Sequence, residues 1–177
     1  MNIPPTYTLI AVTSADGFIA AEADQHSFSW NSDEDKTHFM ALLKRIDVNI
    51  IGNTSYTIHK NEMAKYPCIC LTRSVTEPIK KTDTLTYLNP SVTNLRQFIA
   101  GLDGVKHVGI LGGAQVYSTC MNLGLVDDIF QTIEPVYFGS GVPLFQGLTT
   151  PHRLVLNTLT PLNQSGTLLA HYQRNKR

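Results

Sequence analysis

The sequence has no surplus of charge: Lys and Arg number 14, and Asp and Glu number 14. A balanced chain carries no field that draws it to nucleic acid or an anionic membrane, so a small-molecule partner is expected. No apolar run nears the roughly 18 residues that a membrane span needs. The opening Met1-Asn2-Ile3-Pro4-Pro5 lacks the basic and apolar regions of a secretory leader, so a cytoplasmic protein is expected. Cysteine is scarce and odd in number, at three, and Cys68-Ile69-Cys70 has one residue between thiols where redox pairs and zinc knuckles have two. Residues i and i+2 of a strand share a face, so these two thiols read as small core residues. The six histidines follow no metal-ligand spacing, and no metal site is expected. Repeats and low-complexity linkers are also missing. With 177 residues and 42% hydrophobic content, residues 1–177 are expected to form one domain with one substantial core.

What is present is an alternation of strands and helices. Leu9-Ile10-Ala11-Val12 reads as a buried strand that ends in the turn signal Ser14-Ala15-Asp16-Gly17, where Asp16 is most simply a turn residue. Residues 20–31 are polar and without a period, as in a surface loop that covers a site. Ser32 and Asp35 form a capping pattern for a helix whose stripe is Phe39, Leu42, Leu43 and Ile46. Strands are expected at 48–51, 68–72, 85–88 and 105–111. Helices are expected at 53–59, after Pro90-Ser91 with Val92, Leu95, Phe98, Ile99 and Leu102 on one stripe, and from Ala114 to a cap at Gly124. Three further strands follow at 129–137, 153–160 and 167–173, the last two forming a hairpin. This order predicts an α/β fold with a mostly parallel central sheet, helices on both faces and an antiparallel C-terminal hairpin.

Three strand ends carry the chemistry. Leu111-Gly112-Gly113-Ala114-Gln115-Val116-Tyr117 turns from a strand into a helix through two glycines. Such a helix N-terminus suits a pyrophosphate, although Gly-Gly turns also serve packing. Gly52-Asn53-Thr54-Ser55 is a second junction of this kind, and Leu71-Thr72-Arg73-Ser74 adds a guanidinium suited to a phosphate. Parallel strands place such ends along one sheet edge, where open α/β sheets bind ligands, so the three together describe a dinucleotide site.

The order of these motifs resembles the dihydrofolate reductase superfamily, which includes the reductase domains of riboflavin biosynthesis, from about Leu9 to Phe145. The resemblance implies the three-layer fold of that superfamily and NADPH as cofactor, with Ala11, Val12 and Ile19 at the nicotinamide, and Gly52 to Ser55, Leu71 to Ser74 and Leu111 to Tyr117 along the rest. It implies a substrate pocket at Trp30, Asp35, Phe39 and Ser55, with Asp35 as the catalytic carboxylate that binds the N-C-N edge of a 2-amino-4-oxopyrimidine. Capping alone also favours an acid at Asp35. Where folate enzymes place an arginine before the third strand, this chain has Lys65-Tyr66-Pro67-Cys68. The run Ile133 to Phe145, with its Gly-x-Gly and Pro-Leu-Phe, is similar to the riboflavin-type reductases. The expected activity is therefore that of a 5-amino-6-(5-phosphoribosylamino)uracil reductase. Dihydrofolate reduction is the alternative, and an NADP-binding module with little catalysis the third reading. Reductases of this type are often dimers, which makes a homodimer an expectation.

Overall fold

A computed structural model describes residues 4–175. Its main sheet has nine strands: β1 (Thr6–Ser14), β3 (Val48–Gly52), β4 (Cys68–Leu71), β5 (Ile79–Lys80), β6 (Leu85–Leu88), β7 (His107–Ile110), β8 (Asp128–Glu134), β10 (Leu154–Pro161) and β11 (Leu168–Arg174). Their spatial order is β10-β11-β8-β1-β7-β3-β4-β6-β5. The run from β8 to β6 is parallel, while β11 and β10 on one side and β5 on the other are antiparallel. The expected mostly parallel sheet with a C-terminal hairpin is thus present. A separate pair joins β2 (Phe18–Ala20) to β9 (Val142–Pro143). The helices are α1 (Asp33–Leu43), α2 (Asn53–Ile58), α3 (Lys60–Met63), α4 (Leu95–Ala100) and α5 (Ala114–Asn122).

Strand alternation sorts the core into two faces. In β4, Ile69 and Leu71 join Leu95 and Ile99 of α4 and Val116 and Tyr117 of α5 on one side, while Cys68 and Cys70 join Leu43, Tyr56 and Met63 on the other. Both cysteines are buried core residues, as their spacing implied, and burial pushes their thiols up, to about 12 for Cys68 and about 11 for Cys70. Helices therefore cover both faces of the sheet.

Local chemistry sets the helix ends. Ser32 caps α1 by accepting the Asp35 N–H at 3.2 Å. Gly124, at φ +62, closes α5 with paired bonds from Leu125 N to Cys120 O and from Gly124 N to Met121 O. Other boundaries differ from the sequence expectation. Helix α4 begins at Leu95 because Asn94 caps it, accepting the Gln97 N–H at 3.0 Å, which leaves Val92 outside and 62% exposed. Strand β8 stops at Glu134, since Pro135 has no N–H to continue the ladder. The 20–31 segment contains a 3-10 turn (Ser27–Ser29), capped by His26, whose Nδ1 accepts the Phe28 N–H.

The β2–β9 pair straps the segment after β1. The Asp16 carboxylate accepts from Ser14 Oγ at 2.6 Å and from the backbone N–H groups of Phe138 and Gly139. These bonds, the one from Ser14 first, hold its pKa below the ordinary 3.8. Gly141, at φ +150, lies against the carbonyl of Ala20, where any Cβ would collide. The Gly-x-Gly-Val-Pro-Leu-Phe stretch thus fastens the 16–20 loop, and Asp16 is a clamp as well as a turn residue.

Candidate active site

The C-terminal ends of β3, β4 and β7, with the middle of β1 as floor, enclose a cavity of about 1010 Å³. Of the residues expected at the site, Ala11, Val12, Ile19, Asp35, Phe39, Gly52, Asn53, Thr54, Ser55, Leu71, Thr72, Arg73, Leu111, Gly113, Ala114, Gln115, Val116 and Tyr117 all line it. Trp30, Ser74 and Gly112 do not.

Each of the three absentees has a physical reason. Gly112, at φ +88, is turned inward: a Cβ there would lie 2.5 Å from the Tyr117 ring, and its carbonyl accepts the Gly52 N–H at 2.8 Å. That bond joins the two strand-to-helix turns and consumes the Gly52 donor, so Gly52 serves their close approach and its N–H is not free for an anion. A Cβ on Gly52 would press on Val116 at 3.2 Å. Ser74 is tied to Thr72, with their hydroxyls 2.9 Å apart. Trp30 stands edge-on to Phe138, with ring centroids 5.0 Å apart. The aromatic that meets Phe39 is instead Phe28, at 5.9 Å, because the 3-10 turn sends Phe28 into the cavity.

Gly113 shows where a ligand fits. It is the N-cap of α5, makes no side-chain cap bond, and a Cβ on it would meet only Ser55 Oγ at 3.4 Å and Ile19 Cδ1 at 3.8 Å. The N–H groups of the first turn of α5 have no intrahelical acceptors and face a space shaped by small residues, which suits a pyrophosphate. Arg73 is exposed and, among the described residues, has no hydrogen bond or ion pair. Tyr117 pins α5 to the floor by donating its hydroxyl to Ile10 O at 2.7 Å. Burial, and then the nearby Asp35 charge, pushes that hydroxyl's pKa up.

Asp35 is 6% exposed and accepts from Asn31 Nδ2 at 2.5 Å. Burial raises its pKa above 3.8, hydrogen bonds from Thr132 and Asn31 pull it back, and the charge of Glu134 raises it again. Asn31 itself is 7% exposed, lines the cavity and leaves its Oδ1 without a partner among the described residues. A buried amide oxygen of this kind calls for a donor from a ligand or a water in the cavity.

Sequence reasoning missed three groups here. One is Asn31, which its spacing of four residues from Asp35 across the Ser32 cap signals. Another is Glu134, 4% exposed, whose Oε1 accepts from Ser32 N at 2.8 Å and Ser32 Oγ at 2.7 Å and whose Oε2 accepts from Thr167 Oγ1 at 2.7 Å. It fixes the start of α1 against the end of β8 and so aims Asp35. The last is His26, which caps the 3-10 turn, with His59 and Glu62 at the start of α3 and within it; their ligand-type atoms lie within 4.8 Å of one another. Burial, and then His26, depresses the His59 pKa to about 4, with Glu62 pulling it up.

Residues 5–167 match the family model described as the RibD C-terminal domain. Over 96% of its length the chain is 29% identical to the uncharacterized protein YwjB of Bacillus subtilis strain 168, covering 97% of that protein. Among solved structures, a protein from Shewanella sp. PV-4 ascribed to riboflavin biosynthesis shares the fold with a TM-score of 0.77 and 22% identity, over 97% of this chain and 99% of that one. A diaminohydroxyphosphoribosylaminopyrimidine deaminase/5-amino-6-(5-phosphoribosylamino)uracil reductase from Thermotoga maritima does so with a TM-score of 0.73 and 14% identity, over 97% of this chain and 57% of that one.

Proposed function

The chain belongs to the RibD C-terminal domain family, and on that premise we propose that it is an NADPH-dependent reductase of a pyrimidine-type substrate, of the 5-amino-6-(5-phosphoribosylamino)uracil reductase type. The observation that carries this reading is that one cavity holds both the Gly113 cradle of α5 and the buried Asn31–Asp35 pair. When bound, NADPH supplies a hydride. The first turn of α5 receives its pyrophosphate, Ala11, Val12 and Ile19 flank its nicotinamide, and Arg73 with Thr72 takes its 2′-phosphate. Asp35 and the free Oδ1 of Asn31 orient the ring edge of the substrate. Burial raises the pKa of the Asp35 carboxyl, which therefore keeps its proton to a higher pH than a free carboxyl would beside the reacting ring. The strapped 16–20 loop keeps water out.

The assay is NADPH oxidation with aminated uracil substrates against dihydrofolate; turnover confined to dihydrofolate overturns the reading. Arg73 supplies a second check. A guanidinium–phosphate contact contributes about 1.5–3 kcal/mol, so Arg73→Ala is expected to cut the preference for NADPH over NADH by about ten- to a hundredfold. A variant that keeps the full preference removes Arg73 from the cofactor.

A homodimer and a cytoplasmic setting belong to the same reading. Strand β10 is a free sheet edge with Val155, Leu156 and Leu159 each about half exposed, a surface that pairs readily with a second copy. Leu156→Lys is expected to shift the sedimenting species from dimer to monomer. An unchanged dimer would locate the interface elsewhere. The three free, buried cysteines are in keeping with a reducing compartment.

A further inference from the structure

Strand β8 sends two buried side chains of one face to the start of α1. Thr132 and Glu134 stand two residues apart, so both leave the strand on the same side. Thr132 bonds to the Asp35 carboxyl, and Glu134 takes Ser32, the cap three residues before it. The Ser32 hydroxyl has one proton, which goes to Glu134 Oε1 at 2.7 Å and leaves its oxygen to accept the Asp35 N–H at 3.2 Å. On the other side Thr167 Oγ1 donates to Glu134 Oε2 at 2.7 Å and accepts from Asn163 Nδ2 at 3.0 Å. Asn163 and Thr167 belong to the turn between β10 and β11, and Asn163 Nδ2 also reaches Glu34 of α1 at 3.1 Å. Every proton in this chain of bonds points towards Glu134. A carboxylate, which only accepts, sets that direction.

Resting on the reductase reading above, in which Asp35 serves the reacting ring, we propose that Glu134 is a positioning residue of the reaction with two separable tasks: its bonds to Ser32 aim Asp35, and its negative charge keeps the Asp35 proton in place. The turn at 163–167 is the outer anchor of this support, although it stands outside the cavity. The charge acts through a buried interior that screens it little. Its neighbours do not cancel it. Lys36 opposes its effect on Asp35 but is paired with Asp33 at 2.9 Å, and Glu34 is held by Asn163. On the α5 side Tyr117 keeps its proton and donates it to Ile10 O.

Glu134→Gln and Glu134→Asp test the two tasks apart. Glutamine keeps the length, an acceptor for Ser32 and a contact with Thr167, but carries no charge. Aspartate keeps the charge and is one methylene too short to hold Ser32 and Thr167 together. The Asp35 carboxyl carbon, followed by NMR across pH in the ligand-free protein and assigned by its loss in Asp35→Asn, reports the proton directly. In Glu134→Gln its midpoint is expected to fall by roughly 0.5–1 pH unit, as when a nearby like charge is removed, and the high-pH limb of kcat to fall with it. In Glu134→Asp the midpoint is expected to stay near that of the wild type, while kcat drops by about ten- to a hundredfold, the cost of a displaced catalytic group. A residue that only held the fold would lower the melting temperature in both variants and leave the midpoint where it was. An unchanged midpoint in folded Glu134→Gln overturns the proposal, as does wild-type kcat in Glu134→Asp. A Glu134→Gln protein that does not fold overturns it too, since the charge would then serve the fold alone. The midpoint is read without NADPH or substrate, so a wild type that turns over no aminated uracil sinks the reductase reading as a separate result.

Discussion

Asp35→Asn is expected to lower turnover about 10²- to 10⁴-fold, the range of a positioned acid–base group, while making the folded protein more stable at neutral pH. The two effects share one cause. Burial, and then the charge of Glu134, make the folded state hold the Asp35 proton more tightly than the unfolded chain, whose value is near 3.8. The favourable contribution of this proton is complete below 3.8 and is lost as the pH climbs through the raised folded value. Once ionised, above that raised value, the carboxylate weighs against folding. Asparagine keeps an acceptor for Asn31 Nδ2, now 2.5 Å from Asp35 Oδ2, and removes the charge. Urea unfolding at pH 7 and pH 4 should show the variant ahead at the higher pH, with the gap closing at the lower. Turnover within about tenfold of wild type would reduce Asp35 to a helix-cap residue.

Gly112→Ala and Gly113→Ala are expected to part company although the residues are adjacent. At Gly112 a methyl group meets φ +88, two ring carbons of Tyr117 at 2.5 and 2.7 Å, and its hydroxyl oxygen at 2.8 Å. Tyr117 is 4% exposed and tied to Ile10 O, so the ring has no room to retreat. Backbone strain and overpacking together are expected to cost about 3 kcal/mol or more. At about 2–4 °C per kcal/mol in a chain of this size, the melting temperature falls by about 6–12 °C. At Gly113 the methyl group touches only Ser55 and Ile19 at ordinary distances, so stability should barely change. It would, however, fill the space set aside for the pyrophosphate, and NADPH affinity should fall by at least about tenfold. Melting curves and NADPH fluorescence titrations separate the two. A Gly113→Ala protein with wild-type affinity would move the pyrophosphate away from this turn.

Much of the layout can be read from local chemistry. The Ser32 cap, the Gly124 C-terminus, the alternation of Cys68, Ile69 and Cys70, and the three strand ends at Gly52, Arg73 and Gly113 each depend on a few neighbouring residues and on the rule that parallel strands end together. Resemblance added Asp35 and Phe39. What stayed hidden depends on partners far along the chain. The choice of Phe28 over Trp30 follows from a 3-10 turn that His26 caps, and Trp30 is drawn off by Phe138. The donor of Gly52 is taken by Gly112, a bond that exists only once β7 lies beside β3. Glu134 reads as one acid in a strand until Ser32 and Thr167 close on it. The two residues of β9 gain strand character only from β2. Asn31 needed the burial of its amide to stand out.

The strap between Asp16 and Gly139 also bears on when the site comes into being. Its bonds bridge about 120 residues of chain, and β7 must enter between β1 and β3 before the two halves of the sheet are joined. Contacts of such separation form late, after most of the loop entropy has been lost. During synthesis the floor at β1 emerges well before its roof, which awaits the 138–144 stretch. A nascent chain therefore has no closed cavity, and a ligand meets the site only when the sheet that carries it is almost complete.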